Sequence, residues 1–323
     1  MSKKGLLAWG LSKTGVFACA MMIRKRTGGF TRLPILAYHR VMDCNTRTYP
    51  FDSDLISASV DAFDRQMDYV KRNFNVITFD GLKRALLDAG RIPENPLIVT
   101  FDDGYRDNYL NAYPILKHHG IPATFFVAVS YIGTKEVFHF ERVAYLIKQA
   151  GRGDRTSLIQ EIQARIKRSD PSTVAAIIAQ IEGELKVGDY PIAEVAMMTW
   201  EDVREMADNG MEIGSHGLRH INMAMTSDLE LREETVDSKK RIEKEVGKPI
   251  VALAYPFGQA DHFDERVKVA VAQAGYSFAL AYIHGADVIG NGTRLQFELK
   301  RLHVESDVTL DYFKAMLAFP SVF

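Results

Sequence analysis

The sequence predicts an α/β fold, a distorted (β/α)7-type barrel with a helical insertion after the fourth strand. From Pro34 onward, short β-rich runs alternate with helical patterns, which favours a parallel sheet or barrel over a sandwich. Polar residues directly follow several of these runs, where the active face of such a barrel forms. The chain has 323 residues, of which 47% are apolar, so it can bury one large core or a core with a smaller appendage.

We expect seven strands, each a short run rich in apolar and β-branched residues. They are Ile35–His39, Val76–Thr78, Leu97–Asp102, Ala123–Val129, Met211–His216, Val251–Tyr255 and Phe278–Tyr282. One stretch interrupts the rhythm, because about 135–196 has helical patterns and charged segments but no intervening strand. We therefore expect an N-terminal segment over 1–32 and a barrel domain over 33–323 that contains a helical insertion at about 135–196.

Helices between the strands have recognisable faces and ends. Apolar residues at helical spacing are Phe63, Met67, Val70 and Phe74. Thr199 with Asp202 and Ser227 with Glu230 have the spacing of capping boxes. Glycines that should end helices are Gly90, Gly120, Gly210, Gly247 and Gly275, and 310–317 should form a closing helix.

Residues 5–23 are mostly apolar and have basic residues on both sides. Lys13 interrupts this run, and spanning a bilayer needs about 20 continuous apolar residues. No Ala-x-Ala-like junction follows, which disfavours a signal peptide. We expect a helix that lies on the cytoplasmic membrane surface or packs on the domain. The protein is then cytoplasmic or peripheral on the inner membrane, with export as the alternative.

The bulk charge excludes some partners. Forty basic residues nearly balance forty-one acidic ones, so no global field attracts nucleic acid or an acidic polymer. The two cysteines, Cys19 and Cys44, have no Cys-x-x-Cys spacing, so we expect free thiols and neither a zinc knuckle nor a disulfide framework.

Chemically active side chains follow four of the predicted strands. Asp102 and Asp103 are adjacent, so their carboxylates must leave the chain in different directions, and one can bind a metal while the other acts as a base. Either could instead cap the next helix, although Asp107 and Asn108 are equally good candidates for that role. On one helical turn, His216 and His220 would face a common point, a spacing used by metal sites.

Taken alone, the spacing of this histidine pair is about as compatible with two unrelated surface residues as with a metal site. Together with the aspartates on one barrel face, it favours a metal site. Two imidazoles and one carboxylate leave open positions on the ion, as in catalytic sites. Asp102 then fits the role of a base that takes a proton from water, and His39 that of a donor to a departing nitrogen.

Three segments resemble the polysaccharide deacetylase (NodB-homology) family, carbohydrate esterase family four. They are TFDDGYRDNYLNAYPILKHHGIPATFFV, MTWEDVREMADNGMEIGSHGLRH and AYPFG, and the similarity extends over most of 33–305. The resemblance implies a metal-dependent deacetylase of N-acetylated sugars, with Asp103, His216 and His220 binding the metal and Asp102 acting as the base. It also implies that the backbone amide of Phe257 helps to hold the oxyanion.

Two departures from the usual family pattern matter. Many members have an arginine that orients the base where this chain has Ala254, and Arg301 is a candidate replacement. The opening LPILAYHRV is similar to the subgroup that deacetylates poly-N-acetylglucosamine in biofilms, in which an early histidine is the general acid. This resemblance favours His39 over the competing His303, whose alternative is a residue of a late strand.

The remaining expectations concern the ligands. We expect a carbohydrate substrate such as a bacterial cell-surface glycan, and one divalent ion, zinc or else cobalt, nickel or iron. Tyr255, Pro256 and Trp200 are candidate substrate contacts, although Trp200 follows a helix cap, where a tryptophan is more often a packing residue than a platform for a sugar. The alternatives are an allantoinase-like enzyme acting on a ring amide, or a non-catalytic sugar-binding relative.

Overall fold

The computed structural model describes residues 3–14, 16–17, 30–87, 91–150, 155–185, 190–290 and 296–323. The strands in this part of the chain are β1 Phe30–Leu33, β2 Ile35–Tyr38, β3 Arg40–Val41, β4 Ile56–Ala58, β5 Asn75–Val76, β6 Pro96–Phe101, β7 Thr124–Val127, β8 Glu212–Ser215, β9 Ala252–Ala254, β10 Phe278–His284, β11 Asp287–Gly290 and β12 Gln296–His303. The α-helices are α1 Lys3–Ser12, α2 Val60–Asn73, α3 Phe79–Leu87, α4 Tyr113–His119, α5 His139–Ala150, α6 Arg155–Lys167, α7 Pro171–Leu185, α8 Trp200–Asp208, α9 Asp228–Arg232, α10 Ser238–Val246, α11 Glu265–Gln273 and α12 Leu310–Ala318.

Seven parallel strands form a closed barrel, as the sequence predicts. Their order is β2, β12, β10, β9, β8, β7 and β6, and β6 pairs again with β2. The closing pairs place Ile35 beside Ile98 and His303 beside Ala37. All seven strands therefore end at the same rim of the barrel, and the residues that follow them are brought together.

The number of barrel strands was predicted correctly, but one of the seven was wrong. The predicted strand 76–78 is the two-residue β5, which pairs with Pro96 and Leu97 at the start of β6 and does not close the ring. Its place is taken by β12, between β2 and β10. The sequence of β12, QFELKRLH, mixes charged with apolar residues, so it lacks the continuous apolar run typical of a buried parallel strand.

The helix signals are confirmed where the structure describes them. On α2, Phe63, Met67 and Val70 are buried, with Phe74 at the C-terminal cap. Both predicted capping boxes form, at the start of α8 and of α9. The predicted stop residues Gly120, Gly210, Gly247 and Gly275 all have positive φ at or just past a helix end. Gly90 lies outside the described residues.

The helical insertion consists of α5, α6 and α7, which follow β7, the fourth of the predicted strands. It has a small core of its own, which includes Val143, Ile147, Ile159 and Ile177. Glu141 fastens it to the barrel, because this fully buried carboxylate accepts hydrogen bonds from the Asp52 amide and the Tyr105 hydroxyl. The insertion thus stands beside the rim where the strands end. The limits of the predicted domains stay a prediction.

The N-terminal helix α1 packs against α12 at the other end of the described chain. Ala8 is buried, while Leu6, Leu7 and Trp9 are 57%, 53% and 53% exposed. Among the described residues, we find no helix with the length and apolar character needed to cross a bilayer. Contact of α1 with a membrane surface therefore stays a prediction. Cys44 is a free thiol as expected, and Cys19 lies outside the described residues.

At the opposite rim, where the strands begin, Glu212 ties β8 to its neighbours. Its carboxylate accepts hydrogen bonds from the Phe79 and Asp80 amides, at 2.9 and 2.7 Å, and from the Thr124 hydroxyl at 2.6 Å. The two amides belong to the first turn of α3, whose N–H groups have no acceptor inside the helix. Glu212 therefore fixes the start of α3 on the barrel.

We expect Glu212→Ala to lower the free energy of unfolding by about 2–3 kcal/mol, since it leaves the two amides and the hydroxyl without their charged acceptor. Urea unfolding followed by circular dichroism measures this change. The control is Glu161→Ala on the exposed side of α6, which should change the same quantity by less than about 0.5 kcal/mol. Equal losses in the two variants would show that the Glu212 contacts contribute nothing specific.

Candidate active site

A cavity of about 680 Å³ opens at the rim where the barrel strands end. Most of the residues singled out from the sequence line this cavity: His39, Asp102, Asp103, His216, His220, Tyr255, Phe257 and Arg301. His39 directly follows β2, Asp102 and Asp103 follow β6, and His216 follows β8. Parallel pairing of these strands therefore concentrates the acids and imidazoles at one place.

Asp103, His216 and His220 form a buried cluster. One carboxylate oxygen and one nitrogen of each ring lie within 4.8 Å of one another. Asp103 Oδ1 is 3.5 Å from His216 Nε2 and 3.2 Å from His220 Nε2, yet it makes no hydrogen bond to any described residue. A buried carboxylate oxygen in this state, beside two imidazoles, fits a divalent cation that supplies the opposite charge.

The protonation of the cluster also suits a cation. His216 Nδ1 lies 2.8 Å from the Ala254 carbonyl oxygen, which can only accept, so Nδ1 carries the proton and Nε2 keeps its lone pair. Burial lowers the pKa of His216 to about 4, so the ring is neutral at neutral pH. Burial alone would raise the pKa of Asp103, but His220, His39 and His216 together lower it well below its usual range.

The prediction that His216 and His220 share a helical turn is wrong. Both belong to a loop after β8, and their rings converge at a centroid distance of 4.8 Å because the loop bends at Gly217, with φ of 75°. A Cβ at Gly217 would lie 2.6 Å from a Glu234 carboxylate oxygen. The two histidines therefore meet through loop geometry that spacing alone does not reveal.

Glu234 holds this loop, and sequence reasoning missed it. Its buried carboxylate accepts hydrogen bonds from the Leu218 amide at 2.6 Å, the Arg219 amide at 3.1 Å and Arg219 Nε at 2.8 Å. Nothing in its local sequence, LREETVDS, distinguishes this glutamate from exposed ones of the same helical segment. Only the tertiary contact identifies it as the residue that positions the His216–His220 loop.

Backbone strain is concentrated at the site. Among the described residues, four other than glycine have positive φ, and three of them line the cavity. These three are Asp103, His220 and Phe257, with φ of 74°, 54° and 61°. Such backbone states cost of order 1–3 kcal/mol each and persist where the surrounding structure enforces them. The concentration at one cavity indicates that function, rather than stability, requires these three conformations.

Asp102 forms an ion pair with Arg301. Arg301 Nη1 lies 2.7 Å from Asp102 Oδ1, and Arg301 Nε donates to the Ala281 carbonyl at 3.0 Å. Both side chains are buried. Burial alone would raise the pKa of Asp102, but the Arg301 guanidinium and the His216 ring outweigh burial and lower it. Asp102 is therefore ionised at neutral pH, and the contact supports the hypothesis that Arg301 replaces the arginine missing at Ala254.

The two candidate general acids differ in placement. His39 lines the cavity, and its ring meets Tyr282 edge to face at 5.4 Å. His303 is absent from the cavity lining and stacks flat on the same tyrosine, with 3.6 Å between the ring centres of His303 and Tyr282. Burial and the nearby Arg301 lower the pKa of His303 to about 3. A neutral, stacked His303 is poorly suited to give up a proton, which favours His39.

The turn after β9 brings a free backbone donor to the cavity. Phe257 is half-buried, and its N–H has no hydrogen-bond acceptor among the described residues. The turn must approach β10 closely, because a Cβ at Gly258 would lie 2.5 Å from the Tyr282 nitrogen. Tyr255 also lines the cavity, with its hydroxyl bonded to the Phe297 carbonyl, whereas Pro256 is buried beside the cavity and is not part of its lining.

The structure does not place Trp200 at this cavity. Trp200 is the first residue of α8, and its ring lies beneath the Arg241 guanidinium carbon, 5.6 Å from the ring centre. These surroundings fit the alternative that Trp200 is a packing residue better than the expectation that it contacts the substrate.

Other lining residues carry no recognisable sequence signal. They come from loops and from the insertion, and include Asp52, Asp54, Lys167, Glu305 and Asp307. Lys167 Nζ lies 5.7 Å from the centre of the Phe257 ring, so α6 reaches across to the turn after β9. Sequence reasoning could not find these residues because no motif links them to the barrel strands.

The sequence profile of the polysaccharide deacetylase family matches residues 89–279, more than half of the chain. The matched segment contains the Asp102–Asp103 pair, both cluster histidines and the turn after β9.

Individual proteins are also similar to this chain. The Bacillus subtilis (strain 168) protein YxkH, which has the provisional name polysaccharide deacetylase, is 23% identical over 287 residues, 88% of this chain and 76% of its own. A poly-β-1,6-N-acetyl-D-glucosamine N-deacetylase of Staphylococcus aureus is 35% identical over 113 residues, 32% of this chain and 38% of its own. The Streptococcus pyogenes deacetylase PplD, solved with acetate, superposes with a TM-score of 0.62 at 19% identity, covering 89% of this chain and 98% of that one.

Proposed function

We propose that this chain, which belongs to the polysaccharide deacetylase family, hydrolyses the acetamido group of N-acetylglucosamine units in a glycan. The observation that carries the proposal is the pairing of two buried groups at one cavity. The Asp103–His216–His220 cluster fits a divalent cation, and beside it Arg301 holds Asp102 as a carboxylate. A cation next to an ionised acid is the arrangement that metal-assisted amide hydrolysis requires.

Two similarities support the choice of sugar. The Staphylococcus aureus relative is named as an N-deacetylase of poly-β-1,6-N-acetyl-D-glucosamine, and its aligned part covers about a third of this chain. The opening YHR segment, which ends with His39 and Arg40, is similar to the same subgroup. We therefore propose a polymer of N-acetylglucosamine as the substrate.

Asp103, His216 and His220 would hold the cation. When bound there, the cation would supply positive charge that polarises both water and the acetyl carbonyl oxygen. Zinc suits a site of two imidazoles and one carboxylate, and cobalt, nickel and iron suit the same ligands. We propose zinc as the physiological ion.

The proton movements follow from the other residues of the cavity. Arg301 binds Asp102 at Oδ1, and Asp102 also lines the cavity, so Oδ2 is the oxygen that remains available for chemistry. This oxygen can take the proton of the attacking water. The N–H of Phe257 can donate to the oxygen on which negative charge develops, and His39 can give its proton to the departing sugar nitrogen.

Two alternatives are less well supported. An allantoinase-like ring-amide hydrolase can use the same barrel, but neither the relatives nor the cavity chemistry favours a ring amide. A sugar-binding relative that has lost catalysis has no need to bury an ionised Asp102 against Arg301, since desolvating such a pair costs several kcal/mol per ion. The structure retains this pair, which supports an enzyme.

Asp102→Asn should keep the metal but lose acetate release on the order of 10²-fold or more, because it removes a base and not a ligand. His216→Ala should lose both metal and turnover. Metal content by atomic emission and acetate release from N-acetylglucosamine oligomers are measured on the same samples. Asp61→Asn, on the exposed face of α2, is the control and should behave like the wild type. An emptied site in Asp102→Asn would contradict the division of roles.

His39→Ala should lower acetate release on the order of 10²-fold, since an amine leaves poorly without a proton. In the wild type, the rate should fall at acid pH as Asp102 gains a proton and at alkaline pH as the general acid is lost. The lowered pKa of Asp102 places the acid limb below the range of an ordinary aspartate. The variant should lose the alkaline limb in a pH–rate profile.

His303→Ala is the matched comparison, because this residue is the competing general acid. It should lower the rate much less than His39→Ala and leave both limbs in place. A much larger loss at His303 than at His39, with both variants folded and metal-loaded, would assign the acid to the late strand instead.

A further inference from the structure

A second cavity of about 420 Å³ adjoins the active-site cavity, and the reaction described above does not use it. Four residues line both cavities: Asp52, Asp54, Gln160 and Gln163. The two spaces therefore meet along one shared boundary. The volume of the second cavity is within the range of about 300–1,000 Å³ that ligand pockets occupy.

One face of α6 forms a wall of both cavities. Thr156 lines the second cavity, Gln160 and Gln163 line both, and Lys167 lines the first. These residues are three or four positions apart, which places them on one side of the helix. At a rise of 1.5 Å per residue, the wall from Thr156 to Lys167 is about 16 Å long, too long for one sugar ring to cover.

The boundary between the cavities is held in place by hydrogen bonds. Gln163 Nε2 donates to Asp52 Oδ2 at 2.8 Å, and the Asp52 amide donates to Glu141 Oε2 at 2.7 Å. Glu141 is fully buried in α5. The surface that joins the two cavities is thus formed by the insertion and the loop before β4.

The lining of the second cavity suits a hydroxyl-rich ligand. Exposed hydroxyl, amide and guanidinium groups face it, from Thr46, Arg47, Thr48, Gln149 and Thr156. Because Asp52 and Asp54 lie at the same cavity, positive and negative groups are both present. This mixture offers donors and acceptors together and disfavours a polymer with charges of one sign.

We propose that the second cavity binds further sugar units of the glycan whose acetamido group occupies the first cavity. This inference rests on the proposed deacetylase function. The enzyme then acts on internal or near-terminal units of an oligomer and uses binding of remote sugars to position the reacting one. The helical insertion, rather than the barrel, determines the substrate length that the enzyme prefers.

The test uses a substitution that narrows only the second cavity. Thr156→Tyr places a bulky ring at its wall, and Glu161→Tyr places the same ring on the exposed side of α6, outside both cavities. The specificity constant kcat/KM for acetate release is measured with the dimer and the hexamer of N-acetylglucosamine. The wild type should prefer the hexamer by about tenfold or more, because bound remote sugars contribute to transition-state stabilisation.

Thr156→Tyr should remove most of this preference and leave turnover of the dimer within about twofold of the wild type. Glu161→Tyr should keep the preference. A wild-type enzyme that treats both lengths alike, or a Thr156→Tyr variant that loses equally on both, would overturn the inference while leaving the deacetylase function intact.

If no oligomer releases acetate, the proposed function fails, and calorimetric binding of the hexamer to the wild type and to Thr156→Tyr decides about the second cavity. Binding that Thr156→Tyr weakens and Glu161→Tyr does not would still support a glycan site. The absence of binding, or equal binding by all three proteins, would overturn it.

Discussion

The buried ion pair between Arg301 and Asp102 constrains both the barrel and the active site. Removing two charges from water costs several kcal/mol per ion, and only close, well-satisfied pairing offsets this cost. Arg301 lies on β12 and Asp102 follows β6, and the two strands are separated only by β2. The pair can therefore form only when β12 and β6 both pair with β2, which are the contacts that close the barrel.

Strand pairing also decides which groups are available for chemistry. Pairing of β8 with β9 places the Ala254 carbonyl against His216 Nδ1 and so presents Nε2 to Asp103. Closure through β2 places Arg301 on one oxygen of Asp102 and leaves the other to face the cavity. Two adjacent aspartates thus acquire different surroundings, one facing imidazoles and the other a guanidinium, and this difference explains how neighbouring carboxylates can take different roles.

The sequence predicts the parts of this arrangement that depend on local pattern. Apolar runs that end in polar residues identified Asp102, Asp103 and His216 at the strand ends. The mixed pattern of β12 concealed a barrel strand, although the family resemblance identified Arg301 and His303 on it as candidates. Glu234 and the bend at Gly217 were missed because the loop they form depends on a contact between segments about 16 residues apart. Trp200 was ambiguous because its position just after a helix cap does not show whether its side chain reaches the cavity.

We propose that Asp103, His216 and His220 bind a single divalent ion, while Arg301 keeps the neighbouring Asp102 from acting as a ligand. Anomalous diffraction from crystals soaked in cobalt tests this claim most directly. We expect one strong peak at about 2.0–2.2 Å from an Asp103 oxygen and from Nε2 of both histidines, with Asp102 still bound to Arg301. A peak elsewhere, or one in which Asp102 replaces Asp103 as the ligand, would contradict the account.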